Sequence, residues 1–310
     1  MVKAEIPAAE RVAAGAPFAR FAWVVLGYNV AVVLWGAYVR ATGSGAGCGN
    51  HWPLCNGQVT PHSPAAATVI EFTHRAMTGL DTLLVVLLVI GAFRVFPRRH
   101  RVRLAASLSA VFLLVEALIG AALVLLEKVA KNASAYWQSM HLINTLTLLA
   151  FLTMTAWWAA GKPAVAPRGR AAWMMAVSLL LVVFLGVSGA IAALGDTLFP
   201  AASLAAGLAQ DWDPAANIFL RLRGLHPLIA GVAAAWLLFF AITTASRRPA
   251  LRERALILTA CVGGQLVAGA VNLLLLAPVG MQMLHLLLAD LLWIALIIFC
   301  ASLGPEAEQE

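Results

Sequence analysis

Eight apolar stretches, each about as long as a bilayer-crossing helix, leave this sequence few ways to fold: 18–38, 67–92, 104–126, 136–160, 171–194, 220–243, 255–277 and 280–303. A helix needs roughly 20 apolar residues to cross a hydrocarbon core. With no water in that core, each backbone amide must be satisfied within the helix. The fold class expected is all-α, a polytopic membrane protein with eight transmembrane helices. Composition excludes the soluble alternative: 62% of the 310 residues are hydrophobic and only 11% are charged, too few to coat a water-facing globule. The net charge of +7 then belongs to basic loops at a membrane face, and no nucleic-acid partner is expected.

Loop charge sets the expected orientation. Arg94, Arg98, Arg99, Arg101 and Arg103 follow the second run, Lys162, Arg168 and Arg170 the fourth, and Arg247, Arg248, Arg252 and Arg254 the sixth. The alternate connections are poor in basic residues. Segment 195–219 has Asp196, Asp211 and Asp213 with no Lys or Arg, 39–66 has only Arg40 at its edge, and 128–135 has Lys128 and Lys131. The positive-inside rule places both termini in the cytoplasm and the loops 39–66 and 195–219 outside a cell membrane. The first 17 residues, with Lys3, Glu5, Glu10 and Arg11, read as a short cytosolic tail. The first apolar run exceeds a signal-peptide core and reads as a retained span.

The chain also repeats itself. Glu116-x-x-x-Gly120-Ala121 answers Gln265-x-x-x-Gly269-Ala270, Gln138-x-x-His141 answers Gln282-x-x-His285, Gly36 answers Gly186, and Glu71-Phe-Thr-His74 answers Arg223-Gly-Leu-His226. Four spans in each half give a parallel repeat. Two pseudo-two-fold-related four-helix bundles are expected, residues 1–165 and 166–310, with small residues such as Gly36, Gly120, Gly186 and Gly269 at close helix contacts.

His74, His141, His226 and His285 fall near the start of the even-numbered spans, roughly 6–10 Å below the same boundary at 1.5 Å per residue. Ionisable groups inside a bilayer are costly and usually functional. Two imidazoles at one depth on different helices of a bundle suit the two axial positions of a heme iron. A closed zinc site would need further ligands in each half. Hydrogen-bonded packing is the plain alternative for each ring. His51, His62 and His100 lie in loops and read as solvated.

The halves differ where chemistry would be expected. Glu71 and Glu116 of the first are replaced by Arg223 and Gln265 in the second. Glu71, one turn from His74, could take up protons or stabilise developing positive charge, or it could be a helix N-terminal acid. Arg223 could meet the propionates of a permanently bound heme or snorkel to the interface. Arg75 offers the same two choices. Asp81 and Asp290 read as polar packing, and Cys261 and Cys300 as inert packing residues. Cys48 and Cys55 in the first outer loop form either a structural disulfide or a redox-active pair that exchanges with an external thiol partner.

The run Gly43-Ser-Gly-Ala-Gly-Cys-Gly-Asn-His-Trp-Pro-Leu-Cys-Asn-Gly57, followed by Glu71-Phe-Thr-His-Arg75, resembles heme A synthases of the bacterial and archaeal type, and the resemblance extends over nearly the whole chain. It implies oxidation of a heme O methyl group to a formyl by successive hydroxylation, giving heme A for terminal oxidases. It further implies a heme b cofactor between His226 and His285, substrate heme O at His74 and His141, a turnover role for Glu71, and heme O synthase as a possible partner alongside an electron-transfer or thiol-redox protein. Some members carry a second cysteine pair in the third outer loop; 195–219 has none. Two rivals remain at this level: a diheme b-type electron carrier or quinol oxidoreductase, and a heme transporter or chaperone.

Overall fold

In the computed structural model, which describes residues 8–62, 64–126, 134–163, 165, 167–216 and 218–303, each apolar run is one long helix. These are α1 (Ala8–Ala41), α2 (Ala66–Val95), α3 (Arg101–Leu125), α4 (Ser134–Ala159), α5 (Gly169–Leu198), α7 (Ile218–Arg247), α8 (Arg252–Leu274) and α9 (Val279–Ala301). A short helix, α6 (Leu204–Trp212), precedes α7. Among the described residues eight helices are long and apolar enough to cross a membrane, and the chain is a multi-pass membrane protein. Lys3, Glu5, Lys128 and Lys131 lie outside the described residues.

Each helix begins before its apolar stretch, because backbone hydrogen bonding continues into the polar boundary, while α3, α4, α8 and α9 end one to three residues before theirs. Their ends are set locally. The stretch after α2 contains Pro97, which cannot continue a helix, and His100 caps α3 by accepting from the Val102 amide at 3.2 Å through Nδ1. His100 also stacks on Phe96 with ring centroids 4.8 Å apart, so it is a helix cap and not simply a solvated loop residue. Burial, then the neighbouring Arg101 and Arg103, hold its pKa below the ordinary histidine value. The neutral ring is therefore favoured by folding. Its contribution is present above the unfolded pKa near 6.5 and lost as pH falls through the lower folded value. Protection of the first-turn amides of α3, taken relative to their intrinsic exchange rates, should fall on acidification and should do so no longer in His100→Asn, whose cap does not titrate in this range.

Helix α1 packs on α2 and α4, α2 on α3, and α3 on α4; α5 packs on α7 and α9, α7 on α8, and α8 on α9. Each set of four closes on itself, and the two sets meet where α4 touches α5 and α9 and where α1 touches α9. Leu148, Leu149 and Leu152 of α4 and Leu296 of α9 are fully buried at this junction or beside it, and Trp293 Nε1 donates to the Leu146 carbonyl across it at 2.7 Å. Faces turned away from the junction are apolar and exposed. On α3 they are Leu104, Val111, Leu114 and Leu118, the spacing of a lipid-facing stripe.

Candidate functional site

The four histidines all stand near one end of their helices. His74 is eight residues past the start of α2, His141 seven past that of α4, His226 eight past that of α7 and His285 six past that of α9. That is about 9–12 Å along the helix, slightly deeper than the apolar boundaries implied. His141 lies within electrostatic range of His74, and His285 of His226, so each bundle brings its own pair together.

Glycine seats three of the rings. A Cβ on Gly36 of α1 would lie 2.9 Å from His74 Cε1, one on Gly189 of α5 3.1 Å from His226 Cε1, and one on Gly269 of α8 3.0 Å from His285 Cε1. Gly189, rather than Gly186, is thus the structural counterpart of Gly36. Gly186 instead faces Leu142 and Leu146 of α4 across the bundle junction. Gly120 has nothing within 4 Å of its Cβ position and makes no close helix contact. Alanine at 269 should therefore displace the His285 ring, whereas Gly120→Ala should be silent; the visible absorbance of the two purified variants compares them directly.

Positions 116 and 265 do the same job in each half, facing the histidine of the fourth helix. Glu116 Oε1 is 3.1 Å from His141 Nδ1, close but outside hydrogen-bond geometry. The carboxylate also accepts from Asn144 Nδ2 at 2.5 Å and from the Thr145 hydroxyl, both on α4. Gln265 Nε2 is 3.3 Å from His285 Nε2. The second helix differs between halves. His226 Nδ1 bonds the Ser188 hydroxyl at 2.9 Å, whereas His74 Nδ1 is buried without a partner. Trp35 occupies the place matching Ser188 and donates to the Ile70 carbonyl at 3.0 Å.

Glu71 is 3% exposed and fully engaged. Its Oε2 accepts the Cys48 amide at 2.8 Å, and Oε1 accepts from Arg75 Nη2 at 2.5 Å and Nε at 3.2 Å. Arg75 Nη1 donates to the carbonyls of His51 and Leu54, each at 2.6 Å. Arg75 is therefore neither a snorkelling side chain nor free for a propionate; it straps the loop hairpin to the acid. The hairpin is closed by the Cys48–Cys55 disulfide and by Cys55–Gln58 pairing. Thr68 Oγ1 ties it to α2 by donating to the Gly47 carbonyl at 2.7 Å. Gly47 is required there, since a Cβ would run into the Ala67 carbonyl. Both cysteines are buried, Cys48 at 0% and Cys55 at 1% exposure, which shelters the disulfide from external thiols and favours its reading as a staple. Cys48→Ser should loosen the hairpin by about 2–3 kcal/mol, the loop-entropy value for so short a ring, seen as faster proteolysis between residues 48 and 58 with the helices intact.

Arg223 closes the other bundle. It contacts Asp211 of α6 at 2.7 Å and Asp196 of α5 at 3.2 Å, with the Phe199 carbonyl at 3.3 Å. These bonds hold α6 over the bundle end. A propionate would have to compete with two aspartates for this guanidinium, which the sequence did not reveal. Pro227, one residue beyond His226, leaves the Arg223 carbonyl without the usual helical donor. Asp81 Oδ2 accepts from Asn29 Nδ2 at 2.6 Å, and Asp290 is buried at 2% exposure with Oδ2 unpartnered.

A family model described as cytochrome oxidase assembly protein matches residues 19–297. The chain belongs to that family. Two Thermus thermophilus relatives named protoheme IX farnesyltransferase are each 48% identical over 295 residues, covering 93% of this chain and 48% of the relative. The chain thus spans about half the length of those proteins. A Staphylococcus aureus heme A synthase is 33% identical over 189 residues, 58% of this chain and 62% of that protein. A Bacillus mycoides heme A synthase is 45% identical over 93 residues, 30% of each.

The histidine pairs fit a heme with two axial imidazoles. Each pair joins different helices of one bundle, glycines clear the space behind three of the rings, and buried ring nitrogens lack protein partners at His74 and His285. Such orphaned polar atoms call for a ligand or ion.

Proposed function

We propose that the chain is a heme A synthase that oxidises a methyl group of heme O to a formyl, with residues 1–165 forming the substrate domain and 166–310 the cofactor domain. One observation carries the reading: of two matched histidine pairs, one is bordered by a buried carboxylate under a disulfide-stapled hairpin, and the other by neutral orienting groups. Family membership and the relatives named heme A synthase support the same activity.

In this reading His74 and His141 hold the iron of the substrate, whose reacting methyl lies at the macrocycle edge and not at the metal. Glu71, fixed by Arg75 and the Cys48 amide, receives protons at its carboxylate or stabilises positive charge developing beside it. Glu116 orients His141 as Gln265 orients His285. Ser188 fixes the tautomer of His226 by engaging Nδ1, leaving Nε2 for iron. Heme b, when bound by His226 and His285, supplies a one-electron relay. Arg223 latches α6 over that site and would meet a heme carboxylate only by releasing an aspartate. Both sites lie towards the outer face, with the arginine-rich loops and both termini cytoplasmic.

The Thermus relatives are named protoheme IX farnesyltransferase, and this chain covers 48% of each. That name supports a heme O synthase as the supplier of substrate, with electrons passing to a separate redox partner. Co-expression with a heme O source, followed by acid extraction and chromatography of the hemes, tests the reading. A formyl-bearing heme is expected only when the chain is present. Unaltered heme O alongside a bound b-type pigment would instead favour the diheme carrier, and transfer of unchanged heme would favour the transporter.

A further inference from the structure

Arg40 belongs to the first bundle by sequence, and among the described residues its guanidinium bonds only to the second. It stands in the last turn of α1. Its Nη1 donates to the Ala193 carbonyl and the Thr197 hydroxyl of α5, each at 3.0 Å, and its Nη2 donates to Gln282 Oε1 of α9 at 3.1 Å. All three partners are neutral. Asp196 lies in its field but is in contact with Arg223, and among the described residues no carboxylate stands within ion-pair distance of Arg40. The guanidinium is thus sheltered, fixed and uncompensated at contact.

Its position matters because residues one turn from each histidine pair's seat link it to both. Gly36, which seats His74, precedes Arg40 by four residues, and Gln282 precedes His285 by three, which places Gln282 and His285 on one helix face. Gln282 is itself held by donating to the Ala277 carbonyl at 2.7 Å. The repeat does not reproduce the arginine: the spacing that carries Gly36 onto Gly189 carries Arg40 onto Ala193, the residue whose carbonyl it grips. The charge therefore lies at the bundle junction, and it is supplied by one half only.

We propose that Arg40 is a positioning residue for the iron site of the opposite bundle. Its bond to Gln282 fixes the His285 turn of α9, and its charge raises the one-electron reduction potential of the heme held by His226 and His285. An oxidised iron carries one more positive charge than a reduced one, so a nearby cation favours the reduced state, and a low-dielectric setting strengthens the effect. The inference rests on the heme reading for its group but on a residue that reading does not use.

Potentiometric titration of the b-type absorbance in the purified full chain tests it. Arg40→Gln should change the oxidised-to-reduced ratio at fixed potential by about tenfold, a fall of ~59 mV for a one-electron couple. Arg40→Lys keeps the charge and should stay within about threefold of the parent on the same scale. An unmoved potential in Arg40→Gln overturns the inference, as does an equal fall in both variants, which would reduce Arg40 to a packing residue. Should Arg40→Gln lose its pigment, Arg40→Lys decides alone, a tenfold fall counting against the proposal. A parent protein without b-type absorbance, or His285→Ala that leaves it intact, refutes the heme reading and this inference together. Pigment in the parent with no shift in the variants refutes this inference alone.

Discussion

Replacing His226 or His285 with alanine is expected to abolish the b-type visible absorbance of the purified protein, while His74→Ala keeps most of it. The asymmetry follows from how each ring is held. His226 has its Nδ1 fixed by Ser188 at 2.9 Å and its face on Gly189, and His285 meets Gln265 and Gly269. Rings fixed in this way are suited to permanent ligation, because an imidazole whose second nitrogen is engaged presents the first in one tautomer and one direction. His74 Nδ1 has no partner, as suits a ligand that must admit and release a substrate; His285 Nδ1 is likewise unpartnered, but its ring is held through Nε2 by Gln265. Ser188→Ala extends the same argument to a residue that touches no iron: heme retention in the second bundle should weaken by about 10–100-fold, the usual effect of losing an orienting hydrogen bond. Equal pigment loss from all four histidine variants would mean two permanent hemes and would favour an electron carrier.

The membrane architecture was legible in the sequence because a transmembrane helix advertises itself through one property, an uninterrupted apolar run. The nine-residue helix α6 has no such run; it sits in a polar, Asp-containing segment, and its start depends on Ser203 accepting from the Ala206 amide at 3.2 Å. The histidine pairs were legible too, since the repeat places equivalent residues at equivalent depth. Partner choice was not. Gly186 and Gly189 differ by about one helical turn, so both lie on nearly the same face, and only the ring contact separates them. Likewise Arg40, Arg75 and Arg223 carry the same charge in the sequence. Whether each meets a neutral amide 242 residues away, a carboxylate one turn away or an aspartate on a separate helix depends on packing that no local pattern encodes.

Glu71→Gln should retain bound heme but stop formyl production. The amide is nearly isosteric with the carboxylate and can still accept the Cys48 amide, so the hairpin keeps its main contact with α2. What disappears is the negative charge and the capacity to take a proton, which for a general acid–base group is worth about 10²–10⁴ in rate. Arg75 loses its ionic partner but keeps the His51 and Leu54 carbonyls at 2.6 Å, and it is 13% exposed, so folding should survive. Arg75→Gln separates the two contributions. It leaves the charge on Glu71 but frees the strap, and should lower activity less than Glu71→Gln while quickening proteolysis of the hairpin. If extracts of Glu71→Gln contain as much formyl heme as the parent, the carboxylate is only an anchor for the Cys48 turn. The acid of this bundle would then have to be sought at Glu116, which lies 3.1 Å from His141.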